Sequence, residues 1–264
     1  MYNFAYHRPS SVAEAAAALA AASEGKLLAG GMTLLPTMKQ RLAQPSDLID
    51  LGAIADMKGI STTGDGVRIG AMTTHASVAS SAEVKAAIPA LAHLAENIGD
   101  PQVRNRGTIG GSIANNDPAA DYPAAVLALD ATIQTNKRTI AADDFFTGMF
   151  ETALEEGEII TAVSFPKPQK AAYAKFPNPA SRYALVGVFV AQTASGVRVA
   201  VTGAAPCVFR ASQIEQALAG NFSPSALDGL TIDSSGLNSD IHASPEYRAH
   251  LIGVMAKRAV AAAA

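Results

Sequence analysis

Asn105-Arg106-Gly107-Thr108-Ile109-Gly110-Gly111-Ser112-Ile113-Ala114-Asn115-Asn116-Asp117-Pro118-Ala119-Ala120-Asp121-Tyr122-Pro123 is the stretch on which the reading of this chain turns. The segment from Gly99 to Tyr122 is dense in Gly, Asn, Asp and Pro and follows neither the period of a helix nor that of a strand. It reads as one long ordered loop, and ordered loops of that length in a compact domain usually carry function. Its paired glycines, hydroxyl and amide side chains and closing acid suit a ligand that has a diphosphate, hydroxyls and heteroaromatic edges.

A second glycine pair lies upstream in Leu28-Ala29-Gly30-Gly31-Met32-Thr33, between a short apolar strand at Lys26-Leu27-Leu28 and a helix capped by Thr33. Glycines let backbone N–H groups approach a ligand closely, and a helix N-terminus favours negative charge. The pattern is neither the G-x-G-x-x-G fingerprint nor a Walker A loop. Alone it reads as an ordinary turn after a strand. Together the two loops can grip opposite sides of one dinucleotide.

Working outward, the first third alternates helix and strand. Ser11 and Glu14 have capping-box spacing ahead of a helix over 11–22, which also argues against a secretory signal. A helix follows through Leu35, Met38 and Leu42, then a strand over Asp47–Leu51. The next unit has a strand over Val67–Ala71, a short helix capped by Thr74 and a longer one over Glu83–Ile98. Beyond the long loop come a helix near Pro123–Leu129 and strands over Ala131–Thr135 and Ile159–Phe165, with Glu155-Glu156-Gly157-Glu158 as a solvated turn. Pro166-Lys167-Pro168-Gln169-Lys170 has linker composition. After it, Leu185–Thr193 and Val197–Gly203 form a hairpin around Ala194-Ser195-Gly196, and helices occupy Ala211–Ala219 and Pro245–Ala263. The expected division is 1–55, 56–168 and 169–264.

Composition narrows the function classes. The 264 residues are 49% hydrophobic and 16% charged, enough apolar material for a sizeable core. A net charge of −3 leaves no electrostatic footprint for nucleic acid or an anionic membrane. No apolar run approaches the roughly 20 residues that span a bilayer. The single cysteine, Cys207, rules out an internal disulfide and a thiolate-held iron–sulfur cluster within the chain. His7, His75, His93, His242 and His250 form no metal-binding spacing. A cytoplasmic protein is the expectation.

Ala29-Gly30-Gly31-Met32-Thr33, Thr108-Ile109-Gly110-Gly111-Ser112 and Asp117-Pro118-Ala119-Ala120-Asp121, in this order, resemble the FAD-binding medium subunits of the molybdenum hydroxylases, the family of carbon monoxide dehydrogenase and bacterial xanthine dehydrogenase. The resemblance runs from Phe4-Ala5-Tyr6-His7-Arg8-Pro9 to the helices after Cys207. It implies an α+β fold of the vanillyl-alcohol-oxidase type (PCMH-type), with two subdomains enclosing FAD. A C-terminal domain with a three-stranded antiparallel sheet and helices follows. It also implies that Lys26, Leu27, Leu28, Ala29, Gly30, Gly31, Met32, Thr33 and Leu34 form the loop that holds the diphosphate. Thr108, Gly110, Gly111 and Ser112 continue that grip along the ribityl chain. Asn115 and Asp121 match polar cofactor contacts, Ile160 an apolar position near adenine, and Lys175 a basic residue reaching the cofactor from the C-terminal domain. Tyr183 falls beside the flavin ring, where the eukaryotic xanthine enzymes have an acid.

By the same resemblance the chain is the electron-transfer subunit of a multi-subunit oxidoreductase. Its partners would be a small subunit with [2Fe–2S] clusters and a large subunit with a molybdenum–pterin cofactor, in a dimer of heterotrimers. FAD would pass electrons to NAD, quinone, oxygen or another acceptor. Two other readings stay open: a stand-alone flavin oxidase of the same fold, and a flavin-free scaffold. Asp121 also reads as a helix cap, Lys175 as a solvated strand-edge charge and Tyr183 as an ordinary sheet residue; the resemblance favours the functional reading for Asp121 and Lys175.

Overall fold

The computed structural model describes residues 1–263. The first unit comprises β1 (Ala5–His7), α1 (Val12–Ala21), β2 (Gly25–Leu28), α2 (Leu34–Lys39) and β3 (Asp47–Asp50). Its sheet is parallel in the order β1-β3-β2. Ser11 caps α1 by accepting from the N–H of Glu14, as its spacing predicts. The Glu14 carboxylate reaches one residue further back, to the N–H and hydroxyl of Ser10. Helix α2 ends at Lys39, short of the expected Leu42, because Arg41 turns to φ +62° and leaves Leu42 in solvent.

The second unit holds β4 (Ile60–Thr62), β5 (Gly66–Gly70), α3 (His75–Ser80), α4 (Ala82–Ala87), α5 (Pro89–Glu96), α6 (Pro101–Arg106), α7 (Ile109–Asn115) and α8 (Tyr122–Ala128). It continues with β6 (Thr132–Thr135), β7 (Thr139–Ala141), α9 (Ala142–Phe145), β8 (Phe146–Gly148), β9 (Glu151–Thr152) and β10 (Ile160–Pro166). Five strands form an antiparallel sheet in the order β4-β5-β10-β6-β7. The helix expected over 83–98 is two helices. Pro89 lacks an N–H and forces Ile88 out of the helical region, to φ −143° and ψ 72°.

The expected long loop over 99–122 is corrected more fundamentally, because it contains α6 and α7. Asp100 accepts from the N–H of Val103 at 2.8 Å, and Pro101 starts α6 where a missing N–H costs nothing. Thr108 caps α7 through the N–H of Gly111 at 3.1 Å, and Asn116 ends it in the left-handed region at φ 42°. Two short, separately capped helices this rich in glycine and asparagine show no apolar period.

The third unit is β11 (Lys170–Pro177), β12 (Ala184–Thr193), β13 (Gly196–Thr202), β14 (Phe209–Arg210), α10 (Ser212–Ala219) and α11 (Pro245–Ala262). Its antiparallel sheet has four strands, β11-β12-β13-β14, rather than the expected three, since the two-residue edge strand β14 is too short to show a period. The residues of linker composition are ordered: the N–H of Lys167 donates to the Asp65 carbonyl and that of Gln169 to Gln192.

β12 shows why the third unit docks where it does. Val186, Val188 and Val190 on one face pack with Ile252, Met255 and Ala256 of α11. Phe189 and Ala191 on the other face join the main core with α8. Period-2 alternation thus delivers one apolar run to two cores. Helix α8 is buried on every side, which accounts for its all-apolar sequence after Tyr122.

Candidate functional site

A cleft of about 610 Å³ lies where the turn after β2, the start of α7, the end of α5 and the β11–β12 connection converge. Lys26, Leu27, Ala29, Gly30, Gly31, Met32, Thr33, Leu34, Thr108, Gly110, Gly111, Ser112, Asn115, Asp121, Ile160 and Tyr183 all line it. Leu28 does not. Its side chain turns away into a small cluster with Met38 and Leu48, as strand alternation requires.

The two glycine pairs play different parts. In the first loop the N–H groups of Gly30, Gly31, Met32 and Thr33 find no partner among the described residues. Gly31 sits at φ +77°, a conformation that L side chains rarely adopt. The result is a row of unused donors at the cleft wall, suited to an anion.

In the second loop the donors are engaged inside the chain. The N–H of Ile109 donates to Thr73 at 3.1 Å, that of Gly110 to Ala71 at 2.8 Å and that of Ser112 to Thr108 at 3.0 Å. The N–H of Gly111 donates to the Thr108 hydroxyl. What Gly110 and Gly111 offer is therefore close approach. A Cβ on Gly110 would lie 2.7 Å from the Ala71 carbonyl oxygen, and one on Gly111 would lie 3.2 Å from Ala29 Cβ. Gly30 in turn packs against the main chain of Arg106 and Gly107, so the two loops interlock.

Asp121 sits at the N-terminus of α8 but makes no side-chain cap. Its carboxylate accepts instead from the Tyr173 hydroxyl at 2.5 Å and from Lys175 Nζ at 3.0 Å. Lys175 also donates to the Asn97 carbonyl at 3.0 Å. Neither side chain is solvated: Lys175 is 7% and Asp121 4% exposed. Burial pushes the Asp121 carboxyl up, against the pull of the Lys175 ammonium and the Tyr173 hydroxyl. This trio ties β11 to the cleft. Lys175 does not line the cleft itself but stands behind Asp121, which does.

Tyr183 is on the connection from β11 to β12 rather than in the sheet, half exposed at the cleft mouth. The Asn178 side chain accepts from the N–H groups of Ala180 and Ser181, and Arg182 takes φ +62°, which together fix this turn. Burial, with Asp117 and Asp121 nearby, raises the Tyr183 phenol.

Several lining residues carried no sequence signal. Glu158 lines the cleft with its side chain fully buried, which corrects the last residue of the expected solvated turn, whose Glu155 and Glu156 are exposed. It accepts from Arg138 at 3.0 and 3.1 Å, from the Thr135 hydroxyl and from the Glu155 N–H. The Arg138 bonds lead in holding its pKa at about 2. His75 lines the cleft at 5% exposure, and only the Thr74 cap before it hinted at its place. Among the described residues no group of His, Cys, Asp and Glu is arranged for a metal ion, and no helix is long and apolar enough to cross a membrane.

Residues 2–168 match the family model described as the FAD binding domain in molybdopterin dehydrogenase, and residues 171–263 match the CO dehydrogenase flavoprotein C-terminal domain. This chain belongs to the FAD-binding medium subunits of the molybdenum hydroxylases. The medium subunit is 39% identical over 277 residues to the carbon monoxide dehydrogenase medium chain of Hydrogenophaga pseudoflava, covering 98% of this chain and 96% of that one. It is 38% identical over 269 residues to the nicotine 6-hydroxylase medium subunit of Paenarthrobacter nicotinovorans, covering 97% and 95%. The solved carbon monoxide dehydrogenase of H. pseudoflava, in a form lacking the Mo-pyranopterin moiety, superposes with a TM-score of 0.90 at 40% identity over 99% of this chain and 97% of that one. The expected fold is the one found, and the medium subunit is part of an oxidoreductase.

The cleft fits the cofactor of the family. Its unused N–H groups answer the negative charge of a diphosphate, and its glycines hold the walls close. Apolar Leu154, Ile159 and Ile160 offer a surface for an aromatic ring.

Proposed function

We propose that this medium subunit is the electron-exit subunit of its complex. In this reading the chain would hold an FAD whose redox chemistry would carry electrons from the [2Fe–2S] clusters of a small partner to NAD, quinone, oxygen or another acceptor. A large partner with a molybdenum–pterin cofactor supplies them, in a dimer of heterotrimers in the cytoplasm. The single observation that carries the reading is the row of free N–H groups at Gly30–Thr33, interlocked with the Gly107–Gly111 turn across one cleft.

The chain's own residues then have distinct tasks. Units 1–55 and 56–168 form the two walls, and 169–264 closes the mouth. The N–H groups of Gly30, Gly31, Met32 and Thr33 bind the diphosphate, with Lys26, Leu27, Ala29 and Leu34 shaping the wall around them. Leu28 anchors that loop in its own small core. Thr108, Gly110 and Gly111 set the gap, while the Ser112 hydroxyl and Asn115 amide bond the sugar chain. Ile160 packs against adenine. Asp121 and Lys175 hold the third unit in register, so that Tyr183 covers the flavin end and limits water and acceptor access.

The test uses the purified multi-subunit complex with FAD removed and then restored. The deflavo complex is expected to be reduced by its substrate at the metal centres yet to pass electrons to the acceptor at least tenfold more slowly, with recovery on adding FAD. Unchanged electron delivery without FAD contradicts the proposal and favours a flavin-free scaffold.

A further inference from the structure

His75 is a buried polar side chain of the cleft for which the chain supplies no hydrogen-bond partner. It occupies the first position of α3, and its main-chain N–H donates to the Gly107 carbonyl at 2.9 Å. Its Nδ1 is closed off from solvent without a partner, whereas Nε2 is not closed off and makes no hydrogen bond to the described residues, which leaves it as the ring nitrogen open to the cleft. Buried polar groups are ordinarily paired, so one that lines a cleft unpaired points to a ligand.

The surroundings of the ring are built to leave it there. A Cβ on Gly107 would come within 2.5 Å of His75 Nε2 and 2.8 Å of Cδ2, so any other residue at 107 would displace the imidazole. On the other side the ring leans on Tyr122, with centroids 5.3 Å apart and planes at 47°. Burial first, and then the Arg104 guanidinium, push the imidazole down to about 4. At neutral pH it is therefore uncharged, with one nitrogen a donor and the other an acceptor.

Gly107 also meets Gly30, the residue that opens the row of free N–H groups. We propose that His75 is a ligand of the bound dinucleotide, its Nε2–H donating to an oxygen of the phosphate–sugar chain where Gly107 and Gly30 meet. The inference rests on the reading of the cleft as an FAD site. It adds a contact that neither glycine loop contains, and it gives Gly107 a role separate from the Gly110-Gly111 pair.

The direct test is NMR of the full chain labelled with ¹⁵N-histidine and titrated with FAD. The His75 ring signals are assigned by their loss in His75→Gln and His75→Phe. Saturation with FAD should move the His75 Nε2 signal and leave His242, far along the chain in the third unit, in place. Dissociation constants give the second arm. His75→Phe keeps a ring without a donor and should weaken FAD about tenfold, or about 1.4 kcal/mol. His75→Gln keeps a donor and should stay within about threefold of wild type, with melting temperatures measured alongside. Should His75→Phe not fold, the wild-type titration decides by itself. FAD binding with unmoved His75 nitrogens, or a folded His75→Phe with wild-type affinity, overturns the inference while leaving the FAD site standing. A wild-type chain that binds no FAD, alone or within its complex, overturns both.

Discussion

Gly30 has the least room of the cleft glycines, because a Cβ there would run into the Arg106 carbonyl oxygen and the Gly107 Cα, which are main-chain atoms that cannot swing aside. Gly30→Ala must therefore part the two loops. Overpacking of this kind costs about 1–3 kcal/mol, which corresponds to a melting-temperature drop of roughly 2–10 °C in a chain of this size. FAD affinity is expected to fall at least tenfold. Gly64→Ala is the control, since nothing lies within 4 Å of a Cβ at that position. Equal affinities and melting temperatures for the two variants would remove Gly30 from the loop contact. The glycine pairs themselves were visible in the sequence, but their division of labour was not. Whether an N–H is free or engaged depends on Ala71 and Thr73, which are distant in sequence and arrive only through the fold.

At the scale of elements, the short strands and helices explain most of what pattern alone missed. α6 and α7 are each a turn or two long and rest on the caps Asp100 and Thr108 rather than on an apolar stripe. β4, β7, β8 and β14 have two or three residues each, too few for alternation to register. Glu158, the last residue of the acidic turn 155–158, misled for a different reason: Glu155 and Glu156 are solvated as expected, but Glu158 looked solvated only with Arg138 elsewhere. In the fold, Arg138 on the β6–β7 turn reaches Glu158 with two hydrogen bonds.

That pair gives a pH prediction. The Glu158 carboxyl is lowered from an ordinary 4.5 to about 2, so the folded state prefers the ionised form. Its contribution is complete above about pH 4.5 and is lost as pH falls toward 2. Urea midpoints measured from pH 6 down to pH 3 should therefore fall more steeply for wild type than for Glu158→Gln, which has no carboxyl to protonate. Parallel slopes would show that the ion pair does not stabilise the fold.

For the whole molecule, the third unit is joined to the rest by more than the apolar face of β12. Buried Arg198 donates from Nε to the Leu127 carbonyl at 2.9 Å and from its guanidinium to Asp143 at 2.6 Å. Thr202 donates to the Ala120 carbonyl at 2.6 Å, and Lys175 to Asp121. Apart from the Asp143 bond, which reaches α9, these ties converge on α8 and the residues flanking it, so the cleft and the sheet that closes its mouth share one support. This junction lay beyond sequence reasoning, because strand order and register are set by pairings across tens of residues. The family resemblance nevertheless reached the right fold, since both glycine loops and the Asp117–Asp121 segment keep their order and lie on one cleft.

The measurement that bears most directly on the central claim is the flavin content of the purified chain after incubation with excess FAD and removal of the unbound fraction. It is read from the visible spectrum and from the cofactor released by acid. The account predicts flavin bands and released FAD equimolar with the chain, and loss of both in Gly30→Ala. A folded, colourless chain that takes up no FAD, alone or within its complex, would contradict it.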